Sequence, residues 1–209
     1  MLNTNLDLNI TDYVTVDFNA VVECVDLLGG VEMTVTDEEA VLMHGYMDEI
    51  SKLTKKKSEY LPGAGTYTMD GVQACAFARI RYTAGDDYKR TERQRAVLTA
   101  MIQKAQKSDL KTINSLIDEV FGDIKTSYSN TDLIALASQI FNYSLGETTG
   151  FPFEKNTVTL GSKGSVVVPC DLKSNVIQLH QFLYDDTEYE PTDTEKIISD
   201  TGFHQGDGY

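Results

Sequence analysis

Tryptophan is absent from the 209 residues, and only four prolines and three cysteines occur. The low proline count excludes proline-rich and collagen-like chains, and the 41% share of apolar residues excludes a disordered composition. No apolar run approaches the roughly 18 residues of a membrane-spanning helix. The first ten residues lack the basic and apolar regions of a signal peptide. We therefore expect a globular chain with a full core, either cytoplasmic or preceded by an export signal.

Disulfides and nucleic acid are disfavoured on similar grounds. Cys24, Cys75 and Cys170 are too few, and odd in number, for a disulfide framework, and their apolar neighbours predict buried free thiols. The net charge of −14 repels nucleic acid and also argues against a polybasic membrane-binding surface. His44, His180 and His204 have no cysteine or acid at metal-ligand spacing, so no metal site is predicted.

The hydrophobic pattern predicts a mixed α/β fold, with a mixed β-sheet flanked by helices. Alternating residues predict strands at 13–18, 31–36, 79–82, 157–160 and 165–169. Helical periodicity predicts helices at 19–28, 37–53, 71–78, 88–107, 109–121, 130–142 and 174–184. We expect one domain over 1–185, followed by a loose acidic tail over 186–209.

The thirteen lysines are scattered, whereas the five arginines are confined to seventeen residues. These arginines are Arg79, Arg81, Arg90, Arg93 and Arg95. Because guanidinium is a rigid fork that binds carboxylate or phosphate oxygens in pairs, this segregation predicts an anion site. The alternative is a solvated basic face, paired with local acids such as Asp86, Asp87 and Glu92.

The expected geometry joins a strand to a helix. Alternation places Arg79 and Arg81 on one side of the strand, and Arg90 and Gln94 share a face of the helix that follows. Arg93 falls at the rim of that face. Helix N-termini attract anions, and three converging guanidiniums suit a pyrophosphate better than a single phosphate.

Several motifs resemble the LytR-CpsA-Psr (LCP) family of the bacterial cell envelope, over roughly residues 8–185. They are DYVTVDF at 12–18, VDLLGGV at 25–31, MDG at 69–71, ARIRY at 78–82 and DDYKRTERQ at 86–94. The resemblance implies an α/β/α domain and a phosphotransferase of Gram-positive cell-wall assembly. Such enzymes move a glycopolymer, for example teichoic acid or capsule polysaccharide, from an undecaprenyl-pyrophosphate carrier to peptidoglycan.

The resemblance also implies the site residues. Arg79, Arg81, Arg90 and Gln94 would bind the pyrophosphate, and Arg93 matches the same motif. Asp87 and Arg81 would be catalytic, with Asp87 activating the acceptor hydroxyl. The family uses Mg²⁺, but its R-x-D and S-x-P-R-D stretches do not occur here. We therefore expect the C-terminal part of an LCP domain, without the N-terminal portion and without the family's magnesium ligands.

A polyprenyl-pyrophosphate-linked glycopolymer and peptidoglycan are thus the expected partners, and nucleic acid is not. The expected location is the extracellular face of the cytoplasmic membrane or the cell wall. Membrane contact would come only through the lipid substrate or an anchor outside the chain. Enzymatic activity of the chain alone stays open. The alternative is a non-catalytic module that binds lipid-linked or phosphate-bearing envelope polymers.

Overall fold

The computed structural model describes residues 1–81, 86–120, 122, 124–161 and 164–206; the side chains of 86, 87, 160, 165, 195 and 201–206 lie outside the description. The chain divides into a central unit, Asp12–Thr148, and a terminal unit made of Met1–Thr11 and Thr149–Tyr209. Mixed α/β structure is confirmed. Within the described residues, no helix is both long and apolar enough to cross a membrane.

The helices and strands follow the predicted order over most of the chain. They are α1 (Leu2–Leu6), β1 (Val14–Val16), α2 (Phe18–Leu27), β2 (Val31–Val35), α3 (Asp37–Thr54), β3 (Gly65–Met69), α4 (Gly71–Arg79), α5 (Asp86–Ala105), α6 (Leu110–Val120), β4 (Ile124–Thr126), α7 (Asn130–Ser138), a 3-10 turn (Ile140–Asn142), β5 (Lys155–Leu160), β6 (Gly164–Pro169), α8 (Leu172–Tyr184) and α9 (Asp193–Gly206).

Side-chain caps determine where the helices of the central unit begin. Asp17 accepts a hydrogen bond from the backbone N–H of Ala20 at the start of α2. Thr36 with Glu39, and Asp70 with Gln73, form reciprocal capping boxes at the starts of α3 and α4. Each cap satisfies N–H groups that the first turn leaves without intrahelical partners.

The MDG motif has a structural explanation in the packing of α4 against α2. Asp70 caps α4, and the N–H of Gly71 donates to Asp26 Oδ1 at 2.7 Å. A Cβ atom at Gly71 would collide with the backbone of Val22 in α2. Glycine is therefore required there by close approach of the two backbones, independently of any chemistry.

The main core of the central unit lies among α2, α3, α4 and the β2–β3 hairpin. Its fully buried side chains include Val22, Val25, Met43, Met47 and Ile50. Ile80 and Val97 belong to the same cluster, which joins the end of α4 to α5. The residues on either side of the arginine motifs are thus anchored in the core.

The strands pair as three separate antiparallel two-stranded sheets among the described residues: β1–β4, β2–β3 and β5–β6. The expected mixed α/β fold is thus present, with its strands in small antiparallel sheets. In β2 the end residues Val31 and Val35 are buried while Glu32 and Thr34 are exposed. A two-stranded hairpin that buries one face against helices can be stable without further strands.

The predicted strand at 79–82 is wrong for its described residues. Helix α4 continues through Arg79, and Ile80 follows as an extended C-cap with φ −54° and ψ 127°. The run ACAFA favours continuation of the helix, and a four-residue alternation is too short to override it. Arg79 and Arg81 therefore do not share one face of a strand.

In the terminal unit, the predicted 157–160/165–169 hairpin and the helix before residue 185 are confirmed as β5–β6 and α8. The acidic segment differs from the loose tail that was expected, because α9 spans Asp193–Gly206 and packs against α1 and α8. Buried Asn175 holds both the N–H and the carbonyl of Glu154, which fixes the chain before β5. The domain boundary at residue 185 stays a prediction.

All three cysteines are free thiols, as expected. Cys75 is buried, whereas Cys24 and Cys170 are half-buried. Burial raises the pKa of Cys24 to about 11. Burial also raises the pKa of Cys75 to about 11, although the nearby charge of Arg79 opposes this. Neither thiol is an activated nucleophile at neutral pH, because the thiolate is the reactive form.

Candidate functional site

The buried member of the arginine cluster is Arg93, on α5. Its Nε and Nη2 each lie 2.9 Å from Glu39 Oε1, and its Nη1 donates to the carbonyl of Ile80 at 3.3 Å. The Arg93 side chain is 7% exposed and that of Glu39 is 16% exposed. The guanidinium also lies 5.9 Å from the ring centroid of Phe77. Arg93 thus connects α3, α4 and α5.

Glu39 serves two structural purposes at once. Its Oε2 accepts the backbone N–H of Thr36 at 2.9 Å, which completes the capping box of α3, while Oε1 receives Arg93. Removing one partner from a buried ion pair leaves an uncompensated charge and costs about 3–5 kcal/mol. The pair is therefore part of the framework around the arginine motifs.

Arg79, the last residue of α4, has a different environment. Its guanidinium lies 4.8 Å from the ring centroid of Phe18 and 5.3 Å from that of Tyr46. Its Nη1 lies 3.0 Å from Glu49 Oε2 but makes no hydrogen bond with any described residue, so the ion pair is poorly aligned. The Arg79 side chain is 28% exposed and that of Glu49 is 60% exposed. Arg79 is held by rings and by a carboxylate that water reaches.

The structure brings the two arginine motifs together through the Arg93 contact to Ile80. Ile80 lies between Arg79 and Arg81, so this segment lies against the first turns of α5. Arg90 precedes Arg93 by about one turn and is half-buried, whereas Arg81 and Gln94 are exposed. The side chain of Asp87 lies outside the described residues.

The fifth arginine lies elsewhere on α5. Arg95 lines a cavity of about 440 Å³ together with Glu32, Met33 and Glu92. That cavity lies between α5 and β2, whereas Arg93 faces Glu39 and Ile80. Removing Arg95 would therefore change the charge of the cluster without touching the contacts that join the two motifs.

The described residues offer no set of three histidine, cysteine, aspartate or glutamate side chains that could hold a metal ion. His180 is used structurally, with Nε2 2.9 Å from the carbonyl oxygen of Leu6 and its ring stacked on Tyr189. His44 is stacked on Tyr60. None of the described residues is assigned to the Mg²⁺ that the resemblance implies.

Sequence reasoning missed several residues that contact the arginines, among them Phe18, Glu39, Tyr46 and Glu49. Only Glu39 had a local signal, since T-x-x-E at 36–39 is the pattern of a capping box. Its bond to a residue 54 positions away has no local signature. The other three contacts depend equally on how the helices pack.

The sequence profile of the LytR_cpsA_psr family matches residues 1–161. The chain belongs to that family. Asp17, Gly71 and the two arginine motifs lie within the matched residues.

Two relatives in the LytR_cpsA_psr family are from Bacillus subtilis (strain 168). The polyisoprenyl-teichoic acid–peptidoglycan teichoic acid transferase TagT is 31% identical over 153 residues, which are 71% of this chain and 45% of TagT. The transferase TagV is 24% identical over 188 residues, which are 89% of this chain and 46% of TagV. The chain spans about half the length of these curated relatives.

Solved structures agree on the fold. TagT bound to LI-WTA matches with a TM-score of 0.62 and 25% identity, covering 90% of this chain and 65% of that chain. A structure from Enterococcus faecalis described as a transcriptional regulator, EF0465, matches with a TM-score of 0.65 and 19% identity. It covers 98% of this chain and 69% of that chain, and it supports the fold alone.

Proposed function

We propose that the chain functions in the transfer of a glycopolymer from a polyprenyl-pyrophosphate carrier to peptidoglycan, as a phosphotransferase of the cell envelope. The observation that supports this most strongly is the contact between Arg93 and the carbonyl of Ile80. It places the segment with Arg79 and Arg81 against the turns of α5 that include Arg90 and Gln94, in a chain of the LytR_cpsA_psr family. Its relatives TagT and TagV are teichoic acid transferases by name.

The proposed reaction is a displacement at phosphorus. The hydroxyl oxygen of the acceptor sugar forms a bond to the sugar-side phosphorus of the lipid pyrophosphate. The bond from that phosphorus to the bridging oxygen breaks, and polyprenyl phosphate leaves with the electron pair. Such transfers depend mainly on positioning and on neutralising charge, which arginine forks provide.

The proposed roles follow from the residues. Arg79, Arg81 and Arg90 neutralise the pyrophosphate, and Gln94 orients it. Asp87 accepts the proton of the attacking hydroxyl. Arg79 supports this assignment, because its Nη1 has no hydrogen bond among the described residues and its counter-ion Glu49 is 60% exposed. A phosphate oxygen offers that nitrogen a charge-assisted hydrogen bond.

Magnesium remains part of the proposal only through the family. We expect its effect on this chain to be weak, because the family's R-x-D and S-x-P-R-D stretches do not occur in the sequence. Undecaprenyl pyrophosphate as carrier, peptidoglycan as acceptor and the outer face of the cytoplasmic membrane as location belong to the same proposal.

The test is an assay of binding and turnover with the 209-residue chain. A polyprenyl-pyrophosphate-linked saccharide and a peptidoglycan acceptor are incubated with the protein, with and without magnesium, and polyprenyl phosphate is measured by chromatography. The proposal predicts its release by the wild type and loss of release in Arg81→Ala. The control Arg95→Ala also removes one positive charge, but from the α5 position that lines the cavity beside β2. This variant should retain activity.

The non-catalytic binding module is the second candidate, since arginines that bind a pyrophosphate need not turn it over. A module predicts binding of the lipid pyrophosphate without release of polyprenyl phosphate. Inorganic pyrophosphate at 100 times its Kd should raise the free energy of unfolding by about 2.7 kcal/mol in either case. A chain that neither binds nor turns over would contradict both candidates.

A further inference from the structure

We propose that Glu39 and Arg93 are positioning residues of the pyrophosphate site, and that Arg93 is not itself a ligand of the anion. The inference rests on the proposed function of Arg79, Arg81 and Arg90, and it assigns to Glu39 a part in anion binding that has no signature in the sequence. The pair would act by holding the carbonyl of Ile80, the residue between Arg79 and Arg81.

The donors of Arg93 are directed toward protein atoms. Nε and Nη2 share Glu39 Oε1 at 2.9 Å, Nη1 reaches the Ile80 carbonyl, and only 7% of the side chain is exposed. Glu39 occupies Nε and Nη2, so little of this guanidinium is open to an anion. Glu39 is itself fixed by Thr36, whose backbone nitrogen lies 2.9 Å from Oε2. Arg93 is therefore committed to the framework.

The Ile80 carbonyl is a position where a hydrogen-bond donor can determine the path of the backbone. Helix α4 ends at Arg79, and the last carbonyls of a helix have no intrahelical partner, so an outside donor can fix where the chain goes next. The Ile80 side chain is fully buried, and its backbone oxygen is bound by Arg93. Because its side chain and its backbone oxygen are both fixed, Ile80 sets the positions of Arg79 and Arg81 relative to α5.

Helix α3 extends the same framework to the side chain of Arg79. Glu39 lies in its first turn, whereas Tyr46 and Glu49, which contact the Arg79 guanidinium, lie further along the helix. Ten residues of helix separate Glu39 from Glu49, about 15 Å. The Arg93–Glu39 pair thus orders both the helix that holds Arg79 and the backbone that follows it.

Glu39→Gln tests the inference cleanly. The amide oxygen of glutamine can still accept the Thr36 N–H, because capping boxes use Glu or Gln, so the helix cap remains while the charge is lost. Glu38→Gln is the matched control, since Glu38 is exposed in the same first turn of α3. The affinity for inorganic pyrophosphate is measured by calorimetry at a temperature where every variant is folded by circular dichroism.

We expect Glu39→Gln to weaken pyrophosphate binding about tenfold or more, as for the loss of one charge-assisted hydrogen bond from a displaced arginine. Glu38→Gln should bind like the wild type. Arg93→Lys is a second variant that keeps the positive charge but lacks the fork. It should weaken binding similarly, because one ammonium cannot hold both Glu39 and Ile80 in the same way.

The sign of the change in affinity separates the alternatives. Tighter binding in Glu39→Gln would mean that Glu39 had masked an anion ligand, and would overturn the inference. Unchanged affinity with a lower Tm would mean that the pair is only structural, and would overturn it as well. If wild type binds and Arg81→Ala does not, while both pair variants bind normally, the inference alone fails. No binding by the wild type would overturn it together with the proposed function.

Discussion

Two arginine–glutamate pairs have their glutamates on α3 but differ in their surroundings. Arg93 and Glu39 are 7% and 16% exposed and are joined by two short contacts to one oxygen. Arg79 and Glu49 are 28% and 60% exposed and meet through one poorly aligned contact. Because buried pairs are costly to break and exposed ones are worth little, the first is suited to hold structure and the second to be exchanged for a ligand.

The comparison shows that arginines in neighbouring motifs can differ in purpose. Both segregate to the same seventeen residues, and both fit an anion site by residue type. Their partners separate them: a capping-box glutamate for Arg93, and two rings with an exposed glutamate for Arg79. The difference is visible only once the helices are packed.

The largest expected effect comes from removing each arginine in turn. Arg93→Ala leaves Glu39 buried without its partner and should lower the free energy of unfolding by about 3–5 kcal/mol. Arg79→Ala should lower it by only about 1 kcal/mol, because its counter-ion Glu49 is 60% exposed. Urea denaturation followed by circular dichroism measures both values. Equal losses would contradict the distinction between the two pairs.

Much of the fold could be predicted from local sequence. Asp17, Asp70 and Gly71 are residue types that begin helices, and the helices after them lie close to where the pattern places them. Which apolar residues of these helices are buried was harder to predict. Val97 is buried, but the neighbouring Leu98 is 52% exposed and Leu110 is 69% exposed. Periodicity identifies the apolar face of a helix but does not predict how much of that face a neighbouring element will cover.

The candidate site was predictable to a similar degree. The segregation of arginine indicated a segment that lies within the residues matched by the family profile. The strand at 79–82 was wrong, because helix propensity extends α4 through Arg79. The partners Glu39, Tyr46 and Glu49 could not be found, since contacts over 30 to 54 positions leave no periodic signal. The assigned roles of Arg79, Arg81, Arg90, Gln94 and Asp87 stay predictions.

A moderate effect, of opposite sign to that of Glu39→Gln, is expected from the exposed pair. Glu49→Gln removes the carboxylate that competes with an anion for Arg79, so pyrophosphate affinity should rise about three- to fivefold, the upper part of the range for an exposed ion pair. Glu119→Gln, an exposed glutamate on α6, controls for the change in net charge. Calorimetric titration at about 0.15 M salt gives both affinities. Weaker binding in Glu49→Gln would mean that Glu49 positions Arg79 and is not displaced.

A smaller effect should follow from the rings that flank Arg79. Phe18→Leu removes one aromatic face 4.8 Å from the guanidinium, and such contacts are worth about 0.5–1 kcal/mol at exposed sites. Pyrophosphate affinity should fall about two- to fivefold, because the free guanidinium is less well oriented. Phe18→Tyr keeps the ring and should retain the affinity. If both variants bind alike, the stacking has no part in orienting Arg79.

The smallest effect concerns a carboxylate held without any arginine, in the terminal unit. Asp7 accepts hydrogen bonds from Tyr189 Oη at 2.6 Å, Thr192 N at 2.8 Å and Thr192 Oγ1 at 2.7 Å. Burial raises the pKa of Asp7, but these hydrogen bonds outweigh burial, and the pKa lies below its usual value of 3.8. Neutral donors thus stabilise this carboxylate, as Arg93 stabilises that of Glu39.

The sign of the pH dependence follows from that lowered pKa. The ionised form of Asp7 is favoured in the folded state, so its contribution to stability is present above the unfolded pKa of about 3.9 and is lost as pH falls through the lower, folded pKa. The wild type should therefore exceed Asp7→Asn in free energy of unfolding near pH 5, and the difference should shrink toward pH 2. Urea denaturation across this range measures it. As a control, pyrophosphate affinity at pH 7 should be the same in both proteins. A stability difference that does not change with pH would show that ionisation of this carboxylate contributes nothing to stability.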